Sequence, residues 1–199
     1  MYDWRKMSSE ERARAMELRR RRGFPPHSPP HWKADSACQF LISSACYQHE
    51  IIIGKNPERM TECEGEVLEV CRNFASDTYA WCILPNHYHV FVRTEKIKML
   101  RKALGQFHGR SSFTWNGQDV IRGRKVWHNC FERPITSERH FWATLNYVHH
   151  NPVHHGYVEH WQDWVWSSGR RFLERIGREK AAEIWRAYPI LDYGKKWDT

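Results

Sequence analysis

Apolar positions in this chain fall into short blocks of two different periods. From Cys38 to Tyr47 (CQFLISSACY) the pattern has strand character. From Pro57 to Phe74, Met60, Val67, Leu68, Val70 and Cys71 recur at roughly helical spacing, which predicts a helix. Thr78 to Ile83 (TYAWCI) reads as a buried strand, Leu84-Pro85-Asn86 breaks it, and His89 to Arg93 (HVFVR) reads as a second strand able to pair with it as a hairpin. Ile97 to Phe113 puts Leu100, Leu104 and Phe107 on one side of a helix. A loop is expected from Trp115 to Arg124, then a strand over Lys125 to Arg133. Thr136 or Ser137 caps another helix, expected to run to about His150 and to end at Asn151-Pro152, because the residue before proline disfavours the α region. Beyond it lie an aromatic stretch (WQDWVWSSGRRFL) and a last helix near 173–187.

Ahead of this body, Ser8-Ser9-Glu10-Glu11 has the capping-box pattern of a helix start. That helix is polar and continues into Arg19–Arg22, stopping at Gly23. The segment after it (FPPHSPP) is too proline-rich for a helix or a central strand. The chain therefore divides into a basic N-terminal helix and Pro-rich linker (1–35), a core domain (36–173) and a C-terminal helical extension (174–199). The order β-α-β-β-α-β-α predicts an α+β fold, a ferredoxin-like or RRM-like antiparallel sheet with helices on one face.

Charge narrows the partners. A formal net charge of +8 favours a polyanion, of which nucleic acid is the commonest. The 11 tryptophans and 13 histidines are unusual for 199 residues, and aromatic rings among cations suit unpaired bases, although most of the tryptophans are expected in packing roles. Arg19, Arg20, Arg21 and Arg22 read equally well as a solvated helix end or as a phosphate-contacting arm. No apolar run is long enough to span a membrane, and the first residues lack an apolar signal core, so a cytoplasmic location is expected. The 6 cysteines include no CxxC pair and read as reduced, mostly buried side chains.

Two segments carry chemistry. In Leu84-Pro85-Asn86-His87-Tyr88-His89-Val90, His87 and His89 are two apart; on a strand both project from one face and can converge on a divalent ion. In Leu145-Asn146-Tyr147-Val148-His149-His150-Asn151-Pro152, Tyr147 and Asn151 are i and i+4 on one helix face, a nucleophile beside an amide oxygen. Taken singly, each has an ordinary structural explanation: a chance His pair, a rim tyrosine, a helix-terminating Asn.

Together they resemble the single-tyrosine HUH transposases, and within them the REP-associated tyrosine transposases. LPNHYHVFV is similar to that family's histidine strand. LNYVHHNPVHHGYV is similar to its tyrosine helix, where Tyr is followed four residues later by Asn-Pro, then a basic or His residue and Gly. VWHNCFERPITSERHF and WVWSS resemble the segments before and after that helix, and the resemblance covers about Cys38 to Leu173. It implies the HUH endonuclease fold and a sequence-specific endonuclease and strand transferase acting on single-stranded or hairpin DNA of REP type. Tyr147 would be the nucleophile of a 5′-phosphotyrosine intermediate, and His87, His89 and Asn151 the ligands of Mg²⁺ or Mn²⁺. His149 or His150, crowding the same helix, could serve as ligand or base. DNA contacts are expected from Arg19, Arg20, Arg21, Arg22, Arg110 and Arg133, in a monomer or homodimer. Two other readings stay open: a domesticated, non-catalytic nucleic-acid-binding module of the same fold, and a metal hydrolase in which water attacks.

Overall fold

The computed structural model describes residues 7–21 and 38–194. Helix α1 (Ser9–Arg21) begins with the expected capping box: Glu11 N–H donates to Ser8 Oγ (3.2 Å) and Ser8 N–H to Glu11 Oε2 (2.7 Å). Strand β1 (Gln39–Ala45) is followed by helix α2 (Pro57–Phe74), strands β2 (Asp77–Ile83) and β3 (His87–Arg93), helix α3 (Ile97–Gln118), strand β4 (Phe131–Pro134) and helices α4 (Glu138–His154), α5 (Gly169–Ile176) and α6 (Arg178–Ala187). The strands form one antiparallel sheet in the order β2-β3-β1-β4.

Strand alternation sorts the core into two layers. One face presents Phe40, Ile42, Trp81, Ile83, Tyr88, Val90 and Val92 to α2 and α3, the helix layer that a ferredoxin-like order calls for. The other face presents Leu41, Ala80, Cys82 and Phe91, and here α4 packs through Leu145, Tyr147 and Val148, with Phe172 of α5 and Ala181 and Ile184 of α6 completing the cluster. The tyrosine helix and the C-terminal helices thus add a second layer, and the two histidines of β3 lie inside it.

Several elements differ from the periodicity reading. Helix α3 runs past Phe113 to Gln118, although Asn116 and Gly117 favour a loop. Tertiary bonds hold that end: Asn116 accepts from Arg124 Nε (3.0 Å) and donates to Arg124 C=O (2.7 Å). Asp119 just beyond meets the buried Arg59 (2.8 Å), Lys55 (2.8 Å) and Arg124 (2.7 Å). The strand expected over Lys125–Arg133 is confined to Phe131–Pro134; upstream, only Trp127 bridges to Cys46. Asn151-Pro152 does not end α4. Pro152 sits inside the helix, which continues one turn to His154 because both residues are buried and His155 N–H still bonds Asn151 C=O (3.1 Å). The last helix is two, divided at Gly177, whose φ of 82° is a left-handed conformation that glycine adopts without strain. All six cysteines are free thiols, and no described helix is long and apolar enough to cross a membrane.

Candidate active site

The site begins at the β2–β3 turn. Leu84 N–H donates to His87 C=O (2.8 Å), so the chain reverses tightly and β3 starts at His87. Gly54 supports the turn from behind, its N–H donating to Pro85 C=O (2.8 Å); a Cβ there would lie 2.4 Å from Pro85 Cβ, so only glycine fits. From this start, alternation sends His87 and His89 to the α4 face, with ring centroids 5.0 Å apart, and Tyr88 to the opposite core, where its hydroxyl meets His108 Nε2 (2.9 Å). Tyr88 is therefore away from the histidine pair.

Helix α4 supplies the other half. Ser137 caps it by accepting from His140 N–H (3.2 Å), and Leu145 and Val148 seat it on the sheet. That phase turns Tyr147 and Asn151 toward β3. Tyr147 Oη lies 3.3 Å from His89 Nε2, and Asn151 Oδ1 lies 3.2 Å from His87 Nε2. His155, the next residue at i+4, sets its ring 5.0 Å from His87. All of these groups come from one chain. Tyr147 is buried, with Tyr193 edge-on to its ring (5.6 Å). Gly194 approaches so closely that a Cβ would fall 2.1 Å from Tyr147 Cε2. Tyr193 is itself tied to His140 Nε2 (3.0 Å) and to Thr144 Oγ1.

Neighbours orient both imidazoles. Asn86 Nδ2 donates to His49 C=O (3.1 Å), so the Asn86 atom that faces His87 Nδ1 at 2.7 Å is its carbonyl oxygen. In the neutral imidazole, His87 Nδ1 then carries the proton, which leaves a lone pair on Nε2. Ser43, opposite His89 in the β1–β3 register, places Oγ 2.6 Å from His89 Nδ1 and can act alike.

Two imidazole nitrogens and an amide oxygen form a donor set that can hold a divalent cation. His87 Nε2 and Asn151 Oδ1 present lone pairs to each other at 3.2 Å, while Asn151 Nδ2 is buried without a hydrogen-bond partner among the described residues. Two acceptors face each other stably when a cation lies between them; otherwise the imidazole takes up a second proton or the amide turns over. Neighbouring ligands of an octahedral ion bound at about 2.1 Å stand about 3.0 Å apart, close to the spacing found. Among the described residues no group of three or more His, Cys, Asp or Glu is placed to hold a metal, so an ion here would depend on the amide oxygen as third donor.

His149 and His150 are not part of this arrangement. His149 bonds Ser168 Oγ (2.8 Å) and stacks on Trp161, and burial pushes its imidazole down to about 3. His150 packs on Trp185 (4.9 Å). His149 points to the opposite side of the helix from Tyr147 and Asn151, and His150, three residues after Tyr147, is turned to Trp185 of α6. Of the arginines expected at DNA, Arg133 lies on the Tyr147 face, opposite Leu41 in the register; burial lowers its pKa, and interaction with Tyr193 and Tyr147 opposes that shift. Arg110 is on α3, beyond the sheet, and pairs with Glu66 (2.6 Å). Arg20 and Arg21 pair with Glu17 of their own helix (2.9 and 3.0 Å). Arg22 and the side chain of Arg19 lie outside the described residues.

The sequence reading did not include Ser43, Asn86 or His155 in the site. His155 continues the i, i+4 ladder of Tyr147 and Asn151, a signal present in the sequence. Asn86 stands inside the histidine motif. Ser43 has no local signal, since only strand register brings it to His89.

Comparison with known proteins gives a consistent picture. The family model described as Transposase IS200 like matches residues 38–151, a span that holds His87, His89, Tyr147 and Asn151. A Haemophilus influenzae protein bearing the name REP-associated tyrosine transposase is 29% identical, over 62% of this chain and 74% of its own length. A solved structure of a REP-associated tyrosine transposase bound to a REP hairpin superposes with a TM-score of 0.56 at 16% identity, covering 73% of this chain and 85% of that one. At that identity the likeness is one of fold.

Proposed function

The chain belongs to the IS200-like transposase family, and from that premise we propose that it nicks and rejoins single-stranded DNA beside a REP-type hairpin, with Tyr147 as nucleophile. The observation that carries this reading is the convergence of Tyr147 Oη, both His Nε2 atoms and Asn151 Oδ1 from two elements 58 to 64 residues apart in sequence.

In the nicking step, Tyr147 Oη forms a bond to the scissile phosphorus as it loses its proton. The P–O3′ bond breaks, and the departing 3′ oxygen takes up a proton. The protein then holds the 5′ phosphate as a phosphotyrosine diester, and a DNA 3′-OH can attack it to restore the phosphodiester and free tyrosine. One phosphoester bond replaces another, so rejoining needs no nucleotide triphosphate. A Mg²⁺ or Mn²⁺ ion held by His87, His89 and Asn151 would supply Lewis-acid neutralisation of the phosphate charge. Asn86 and Ser43 keep both imidazoles turned inward. The Arg133 guanidinium beside Tyr147 favours the ionised phenol as the proton leaves.

Incubation with a labelled hairpin library and Mn²⁺, followed by a denaturing gel, tests the reading. A covalent adduct is expected that maps to the Tyr147 peptide, joined through a 5′ phosphate, with a free 3′-OH on the other fragment. Tyr147→Phe should bind DNA and form no adduct. His87→Ala and His89→Ala should lose cleavage while keeping hairpin binding. Adducts at Tyr88 or Tyr157, or a nick with a free 5′ phosphate from Tyr147→Phe, would overturn the mechanism. Binding by the unaltered chain without any adduct would leave a non-catalytic module.

A further inference from the structure

On the side of the sheet away from Tyr147, α3 and the segment at 124–130 border an open groove of about 800 Å³. Lys98, Arg101 and Lys102 stand on one wall, Arg124, Lys125 and His128 on the other, and no acidic residue lines it among the described residues. Arg101 pairs with Glu132 (2.9 Å), and Arg124 shares Asp119 (2.7 Å) with Arg59 and Lys55. Lys98 and Lys102 are exposed and have no ion-pair partner among the described residues, and Lys125 lies over the Tyr47 ring (4.6 Å). The groove's exposed charge therefore rests chiefly on three lysines held within one cleft.

The floor is shaped for close approach. Positions 98, 102, 105 and 109 share one face of α3, so the two lysines lead onto Gly105 and Gly109. Among the described residues, nothing outside the helix's own backbone lies within 4 Å of where a Cβ would stand on either glycine, so packing does not require them, and each weakens the helix relative to alanine. A floor without side chains lets a sugar–phosphate strand lie against the helix between rows of cations.

One end of the groove leads toward the His87 centre. His128 accepts from Gln48 N–H (3.3 Å) and its ring meets Tyr47 (4.9 Å). Tyr47–His49 is a single turn, with Gln48 and His49 in left-handed backbone (φ 60° and 53°), and the His49 ring is 6.0 Å from His87. Such strained non-glycine residues persist where surrounding structure holds them. Here the hydrogen bonds of His128 and Asn86 do so from either side.

We propose that this groove is a channel for the phosphate backbone of DNA, passing a strand around the Tyr47–His49 turn toward Tyr147. The inference rests on reading the chain as a DNA-processing enzyme and assigns the surface that holds its substrate.

The test compares the full chain with two triple variants, using a labelled hairpin library carrying unpaired flanks. One variant is Lys98→Glu/Lys102→Glu/Lys125→Glu; the other, Arg170→Glu/Arg178→Glu/Lys180→Glu, makes the same charge change on α5 and α6. The groove variant should bind at least tenfold more weakly than the control variant, and its log-affinity against log-salt slope should flatten by about 2, from three phosphate contacts at about 0.7 each for single strands. Gly105→Leu should keep or raise the melting temperature while weakening binding, an effect that a merely structural glycine would not give. Repeating the titration with a blunt hairpin and with an unpaired oligonucleotide identifies which phosphates occupy the groove; a loss with either supports the channel. Groove-variant binding within threefold of the control overturns the inference even where the unaltered chain still forms its adduct. Failure of the unaltered chain to bind any DNA overturns the underlying reading as well.

Discussion

Asn86→Ala isolates the device that orients His87. The change removes two hydrogen bonds, from His87 Nδ1 to Asn86 Oδ1 (2.7 Å) and from Asn86 Nδ2 to His49 C=O (3.1 Å). At about 1 kcal/mol net per bond, and with water able to reach this half-buried turn, folding stability should fall by no more than about 2 kcal/mol. Metal affinity should suffer more specifically. With its acceptor gone, His87 is free to move its proton to Nε2 or to rotate, and loss of such a partner typically lowers affinity by about 10- to 100-fold. That is about 1.4 to 2.7 kcal/mol of binding free energy. Titration of the full chain with Mn²⁺, following the free ion by electron paramagnetic resonance, reads this directly, and a melting curve separates it from unfolding. Asn86→Asp keeps the acceptor and should hold the ion at least as well as the unaltered chain, although it loses the bond to His49. Mn²⁺ affinity in Asn86→Ala within twofold of the unaltered protein would refute the orienting role. Absence of any Mn²⁺ binding by the unaltered protein would refute the metal assignment itself.

Other consequences can be checked on the same material. Asp119→Asn removes the charge partner of the buried Arg59 and should cost about 3–5 kcal/mol, seen as a lowered denaturant midpoint. Because the Arg59, Lys55 and Arg124 cations hold the Asp119 carboxyl below its ordinary range, its contribution is full above about pH 3.9 and is lost as the pH falls below that; acid unfolding should weaken in its pH dependence in Asp119→Asn. Burial pushes the Cys46 and Cys71 thiols up to about 12, so a thiolate-directed reagent at pH 8 should label the half-exposed Cys38 first and these two only on unfolding. Tyr147→Phe removes one long bond to His89 and keeps the ring against Tyr193, so its stability should change by less than about 1.5 kcal/mol while adduct formation disappears; a large drop in melting temperature would mean that the hydroxyl is chiefly structural.

Period and punctuation alone determined much of this molecule. Helix α2 occupies the residues its apolar spacing marks, because Asn56 caps it, Pro57 opens it and its buried face is apolar apart from Arg59. The β2–β3 hairpin follows from two apolar runs broken by Leu84-Pro85-Asn86, and a strand beginning there can only send His87 and His89 to the same face. Tyr147 and Asn151 share a helix face by the same geometry. These are local facts, fixed within a few residues of backbone. What the sequence left open was decided by contacts distant along the chain. Whether α4 ends at Asn151-Pro152 depended on the burial of both residues, which outweighed the preference of a pre-proline residue. Whether His149, His150 or His155 stands beside His87 depended on the phase in which Leu145 and Val148 dock on the sheet. Ser43 reached His89 through strand register, and Gly194 reached Tyr147 through the path of a tail 47 residues further on. Periodicity specifies which side chains share a face; only packing specifies what that face meets.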